Sequence, residues 1–147
     1  MKVKVCNRSE LPLAAFCRDN FFKLLIFDIG LLGCMLDLSP ETILHQNYGI
    51  TKGYFAENYV AQEFVAAGHK HLYSWAEKNS EIEFLRVIDG NIVPVEVKAG
   101  TRTQAKSLKQ FLSRYAPQMA IKISANPLLI NEKKVVRDIP LYFAGRI

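Results

Sequence analysis

A chain of 147 residues that is 50% hydrophobic and 11% aromatic has enough apolar side chain for one core and one domain. Its formal charge of +5 is unevenly spread: residues 1–97 carry 9 Lys+Arg against 12 Asp+Glu, net −3, and residues 98–147 carry 10 against 2, net +8. No membrane span is expected, because the longest apolar stretch, Phe21 to Leu36, is broken by Lys23 and Asp28. The start Met-Lys-Val-Lys-Val-Cys is too short and too alternating for a secretory signal. Three cysteines, Cys6, Cys17 and Cys34, with no C-x-x-C pair predict reduced thiols in a cytoplasmic protein. No G-x-x-x-x-G-K-[ST] occurs, so ATP hydrolysis by this chain is not expected.

In chain order, Lys2–Cys6 alternates as a short strand, followed by an irregular lead-in around Leu11-Pro12. Asp28 is placed to cap a helix running to Leu36, and Ser39-Pro40 opens another with Ser as N-cap and Pro at the first helical position. Gly53 to Ala67 lacks proline and ends at Gly68, which predicts a helix. Gly53, Ala56, Glu57, Val60, Ala61 and Phe64 share one of its faces, so Glu57 interrupts a small, apolar stripe. A carboxylate there must reach water, pair with a cation or bind a metal. A strand near Leu72–Trp75 follows, and its aromatics are read as core. His69-x-His71 lacks a third ligand nearby and reads as a surface turn.

The densest chemistry lies in Glu81 to Lys98. Asp89-Gly90 favours a two-residue hairpin turn, since a type I′ turn needs positive φ at both central positions. Counting outward from Ile88 opposite Asn91 sets Glu83 across from Glu96, with Lys98 on the same face and Val93, Val95 and Val97 on the other. Opposed like charges destabilise a sheet, so a bound cation with help from Lys98 is the economical compensation. A three-residue loop Asp89-Gly90-Asn91 would instead slip the register and separate the carboxylates. Pro94 suggests an edge position or a bulge. Beyond the hairpin, Leu108, Phe111, Leu112 and Tyr115 mark an amphipathic helix punctuated by Arg102, Lys106, Lys109 and Arg114. Met119–Ser124 alternates as a strand, and Val135–Tyr142 is extended.

A helix Glu, an acidic residue on one strand and Glu-x-Lys on the next resemble the active-site layout of the PD-(D/E)xK, restriction-endonuclease-like nuclease superfamily. The runs Phe27-Asp-Ile-Gly-Leu-Leu32, Lys52-Gly-Tyr-Phe-Ala-Glu57-Asn58, Leu72-Tyr-Ser-Trp75, Glu81-Ile-Glu-Phe84, Pro94-Val-Glu-Val-Lys98 and Ile139-Pro-Leu-Tyr142 further resemble the uncharacterised domain that follows the ATPase module in many bacterial and archaeal AAA-type ATPases. This resemblance spans roughly residues 20–142. It implies an α/β fold with a restriction-endonuclease-like core, a mixed central sheet flanked by helices, over residues 51–147, and a short N-terminal lead-in of strand and helical segments over residues 1–50. It also implies an ATPase module acting in cis or in trans.

Carried over residue by residue, the resemblance gives Glu83 and Glu96 as Mg²⁺ ligands, Glu57 as a further ligand or acceptor, and Lys98 as the group that orients water or stabilises developing charge. The superfamily usually has Asp where this chain has Glu83, one methylene longer, which shifts the metal position. Arg102, Lys106 and Lys109, beside Lys98, form a basic surface suited to a polyanion held while one phosphate is attacked, with DNA the expected partner. Three functions follow as expectations: a Mg²⁺-dependent phosphodiesterase, a silent nucleic-acid-binding module, or an interaction domain, including a homo-oligomer, serving an ATPase.

Overall fold

The structure, a computed structural model, describes residues 1–45, 47–101, 105–128 and 134–147. It is a mixed α/β fold whose seven strands form one sheet: β1 (Lys2–Cys6), β2 (Cys17–Leu24), β3 (Leu72–Glu77), β4 (Ser80–Ile88), β5 (Asn91–Val97), β6 (Ala120–Ser124) and β7 (Val136–Pro140), in the order β2-β1-β3-β4-β5-β6-β7. The β1–β3, β5–β6 and β6–β7 pairs are parallel and the others antiparallel. Helices α1 (Ile29–Met35), α2 (Pro40–Leu44), α3 (Lys52–Ala66) and α4 (Lys106–Tyr115) complete the fold. The sequence from α3 to β6 runs helix, three strands, helix, strand, as the sequence predicts.

The local signals act where their chemistry places them. The Asp28 carboxylate accepts from Leu31 N–H at the start of α1, and Ser39 Oγ accepts from Thr42 N–H at the start of α2. Gly68, at φ +95°, follows the end of α3 in a backbone region that glycine enters without steric penalty. The β4–β5 hairpin turns through Asp89 (φ 49°) and Gly90 (φ 75°), and Ile88 pairs with Asn91, Val87 with Ile92 and Phe84 with Val95. The two-residue loop therefore sets the register, and the slipped alternative does not occur.

Two cores sandwich the sheet. On one face, Val3, Phe84, Val93, Val95, Val97, Ile121 and Ile123 pack against Ala56, Val60, Ala61 and Phe64 of α3. On the other, Cys6, Trp75, Ile82, Leu85 and Ala120 pack against Leu108 and Phe111 of α4. Trp75 is wholly buried with its ring edge-on to Phe111, while Tyr73 is partly buried in the same cluster. The stripe on α3 is thus the helix's inner face, as its spacing predicts.

Three expectations are corrected. Pro94 is neither at an edge nor in a bulge: β5 is central, and Pro94 pairs with Leu85 and is buried. It is tolerated because registered pairing with β6 begins one residue later, at Val95↔Ile121, so its missing N–H breaks no registered pair there. Residues 1–50 are more than a lead-in, because β1 and β2 are strands of the central sheet itself. Cys6 and Cys17 face one another across β1 and β2 as a disulfide, where cysteine spacing predicts free thiols; Cys34 remains free and exposed. Spacing does not reveal strand pairing, and pairing is what brings the two sulfurs together.

Asn58 ties the N-terminal segment to α3. Its buried Oδ1 accepts from Ile26 N–H at 2.7 Å and its Nδ2 donates to Tyr54 O at 2.8 Å, while Gln62, one turn on, accepts from Ile29 N–H at 2.9 Å. Asn58→Ala strands the Ile26 N–H and is expected to cost about 1–3 kcal/mol, read as a lower denaturant midpoint at unchanged slope. An unchanged midpoint would show that the Asn58 bonds contribute no net stability.

Candidate functional site

The last registered pair of the hairpin is Phe84 with Val95, and Glu83 and Glu96 are the next residues outward on these adjacent antiparallel strands. Glu96 faces the α4 side, because Val95 and Val97 on either side of it belong to the core against α3, whereas Glu83 stands between Ile82 of the α4-side core and Phe84 of the α3-side core. The β3–β4 register adds a distortion here: Tyr73 pairs with Leu85 and Trp75 with Ile82, so Glu83 and Phe84 together oppose the single residue Ser74. This is a bulge, a device that re-aims side chains. Glu83 Oε2 accepts from Val97 N–H at 3.0 Å, beyond the last registered pair of the β4–β5 ladder.

Glu96 is the unusual residue. Its side chain is 2% exposed, its Oε1 meets Lys98 Nζ at 2.5 Å, and its buried Oε2 has no hydrogen-bond partner among the described residues. A buried acceptor without a partner costs about 1–3 kcal/mol, more when charged. Burial and the Glu96 charge push the Glu83 carboxyl up to about 7, against smaller opposing effects of Val97 N–H and Lys98. Burial works against the Lys98 ammonium, yet the hydrogen bond to Glu96 and the charges of Glu83 and Glu96 outweigh it and hold its pKa above the ordinary lysine range. The three groups form one electrostatic unit.

Glu57 does not join them. It projects from α3 and pairs with Lys23 of β2, whose ammonium also meets Glu81 at 2.7 Å. Burial opposes the charge of Lys23, but Glu57 and Glu81 raise its pKa above the ordinary value. The cation that an intrusive carboxylate needs on a packed face is therefore Lys23. Among the described residues, no group of three or more His, Cys, Asp or Glu side chains is arranged to hold a metal ion. Lys106 and Lys109 are exposed on α4, and Arg102 lies outside the described residues.

Two charged residues enter the site region without having been singled out in the sequence. Lys122 of β6 stands beside Glu96 in the parallel register and pairs with Asp138 of β7 at 2.5 Å. Their signal was a charge inside an alternating apolar run, Ile121-Lys122-Ile123. The apolar cavity of about 320 Å³ on the α3 side, lined in part by Tyr48, Phe55, Tyr59 and Leu141, includes none of Glu83, Glu96 and Lys98.

The raised Glu83 pKa makes a signed demand on stability. Because the folded protein holds this proton more tightly than the unfolded chain, stability is highest below the ordinary carboxyl pKa and falls as pH rises from about 4.5 to about 7. Glu83→Gln keeps the acceptor for Val97 N–H and removes the charge. In metal-free buffer it is expected to flatten this decline and to exceed the wild type at pH 8 by on the order of 1–3 kcal/mol in urea melts. Parallel pH profiles for the two proteins would contradict the electrostatic account.

Curated proteins and solved structures give no significant match to the chain. A family model does match, over residues 52–142, from α3 to the residues just after β7, a span that holds Glu57, Glu83, Glu96 and Lys98 and leaves β1, β2, α1 and α2 outside. The chain belongs to the family described as Domain of unknown function (DUF4143).

Proposed function

We propose that this chain is a nuclease-like domain in which Glu83 and Glu96 hold Mg²⁺ and Lys98 serves phosphodiester chemistry on DNA. The observation that carries the reading is the buried Glu96 carboxylate with an unpartnered Oε2, facing a second carboxylate and touching a lysine. The donor set suits Mg²⁺, which takes oxygen ligands, keeps several waters and is often held by one or two carboxylates. When bound, such an ion supplies a polarised phosphate and a bound water of lowered pKa. Lys98, paired with Glu96, would present its ammonium to the charge developing on phosphorus. Glu83, held by Val97 N–H at a bulge in β4, would supply the second carboxylate ligand.

The core order α3, β3, β4, β5, α4, β6 is compatible with a restriction-endonuclease-like core and supports the same reading. Lys106 and Lys109, exposed on α4, with Arg102, would hold the DNA backbone. Association with an AAA-type ATPase module, in cis or in trans, belongs to this proposal through the family resemblance. A cytoplasmic location follows only from the proposed substrate, since the Cys6–Cys17 disulfide removes the cysteine argument for it. No helix among the described residues is long and apolar enough to cross a membrane.

A second reading, a silent interaction or oligomerisation domain serving an ATPase, is favoured by the exposed apolar side chains Phe21, Leu24, Phe27, Met35, Leu44 and Ile50. Calorimetric titration with Mg²⁺ or Mn²⁺ separates the two. Weak binding that Glu96→Gln abolishes, with Mg²⁺-dependent nicking of supercoiled DNA lost in Lys98→Ala, is expected of the nuclease-like domain. No heat at millimolar metal would leave the interaction reading in its place.

A further inference from the structure

We propose that the open half of the sheet, on the α4 side of β1 and β2, is a binding platform for single-stranded nucleic acid, separate from the carboxylate site. Val3 and Val5 of β1 are buried and Val3 lies in the core against α3, so Lys2 and Lys4 point to the opposite face. On that face, Lys4 pairs with Phe22 of β2 on one flank and with Tyr73 of β3 on the other, and Lys2 pairs with Leu24. Lys2 Nζ rests 4.3 Å from the centre of the Phe22 ring, and the rings of His71 and Tyr73 lie 6.5 Å apart. Lys2, Lys4, Lys70, His71 and Leu72 line one concavity of about 240 Å³. Helix α4 packs on β4 and β5 and the 3-10 turn Leu13–Phe16 on the Cys6 end of β1, while at the other end Phe22 is 41% exposed and Leu24 67% exposed.

The arrangement has two chemistries at the spacing of a strand pair. Three lysines without an ion-pair partner among the described residues attract a polyanion. Aromatic rings at sheet level offer flat faces for stacking, which a duplex, with its bases already stacked, does not use, and which single-stranded bases do. An acidic peptide would use the lysines alone, and an anionic membrane would use the lysines and Leu24. The interleaving of Lys2 with Phe22, and of Lys4 with Phe22 and Tyr73, favours a strand whose phosphates and bases are engaged together. The platform needs neither metal nor cleavage, and Lys2, Lys4 and Phe22 lie outside residues 52–142, so it goes beyond the function proposed above.

The test is fluorescence anisotropy of a labelled oligothymidylate with the full chain in EDTA, over a salt series. Replacing Lys2, Lys4 and Lys70 by Ala is expected to weaken binding and to flatten the log–log salt slope by about 2, at roughly 0.7 per phosphate contact for single strands. Phe22→Ala, at an exposed position that the fold tolerates, is expected to weaken binding roughly 5- to 150-fold at unchanged salt slope. Tyr73→Phe, which keeps the ring, should bind as the wild type does. Circular dichroism confirms that each variant is folded. Single-strand binding lost in Lys106→Ala/Lys109→Ala but kept in the triple lysine variant would overturn the platform and leave the α4 surface proposed above intact. Indifference to Phe22→Ala, equal affinity for the duplex, or binding to phosphatidylserine vesicles with none to the oligonucleotide would also overturn it.

Discussion

A carboxylate is buried in the middle of the sheet, and much of the surrounding structure follows from it. Glu96 occupies a central strand between β4 and β6, where an apolar residue would satisfy both propensity and packing. Burying a charge this deeply is costly unless it is paired and hydrogen-bonded, yet Lys98 satisfies only one of its oxygens. Glu83 brings a second carboxyl near the first, and burial with the Glu96 charge holds its pKa up to about 7. The bulge in β4 and the bond from Val97 N–H hold Glu83 in that position. A protein that maintains two converging carboxylates forgoes stability there, and local conflict of this kind is what functional sites show.

The two faces of the sheet divide the labour. Against α3, Lys23 serves both Glu57 and Glu81, Asn58 is bonded on both ends of its amide, and Arg86 lies over the Phe64 ring at 4.8 Å with a buried Nη1 that has no hydrogen-bond partner among the described residues. Against α4, a row of charge crosses the sheet from Glu96 through Lys122 to Asp138, with Lys98 paired to Glu96. Lys122 and Asp138 pair at 2.5 Å, and the Glu96 Oε2, beside Lys122 in the register, has no hydrogen-bond partner among the described residues. Both faces carry a buried core, and the buried Glu96 carboxylate lies on the α4 side.

How much of this was legible in the sequence depended on how local the signal was. The Asp89-Gly90 turn dictates its own register, so the pairing of Phe84 with Val95, one step short of Glu83 and Glu96, could be read by counting. The caps at Asp28 and Ser39 and the end of α3 at Gly68 were equally local. Strand β2 was not legible: Cys-Arg-Asp-Asn-Phe-Phe-Lys-Leu has no clean alternation, because an edge strand with little burial is under weak pressure to alternate. The Cys6–Cys17 contact and the Lys23–Glu57 pair both depend on β2, so both escaped with it. Glu57 could be read as needing a cation, but the choice between a metal and a lysine 34 residues upstream is a tertiary fact.

The central claim is that Glu83 and Glu96 share one cation site, and carboxyl ¹³C NMR of Glu83 tests it most directly. Without divalent metal, its side-chain carbon should titrate near pH 7, as burial and the facing Glu96 charge require. With saturating Mg²⁺ the same resonance should titrate far lower, because a bound cation inverts the local electrostatics. A Glu83 that titrates near its ordinary value of about 4.3 and ignores Mg²⁺ would contradict the shared site.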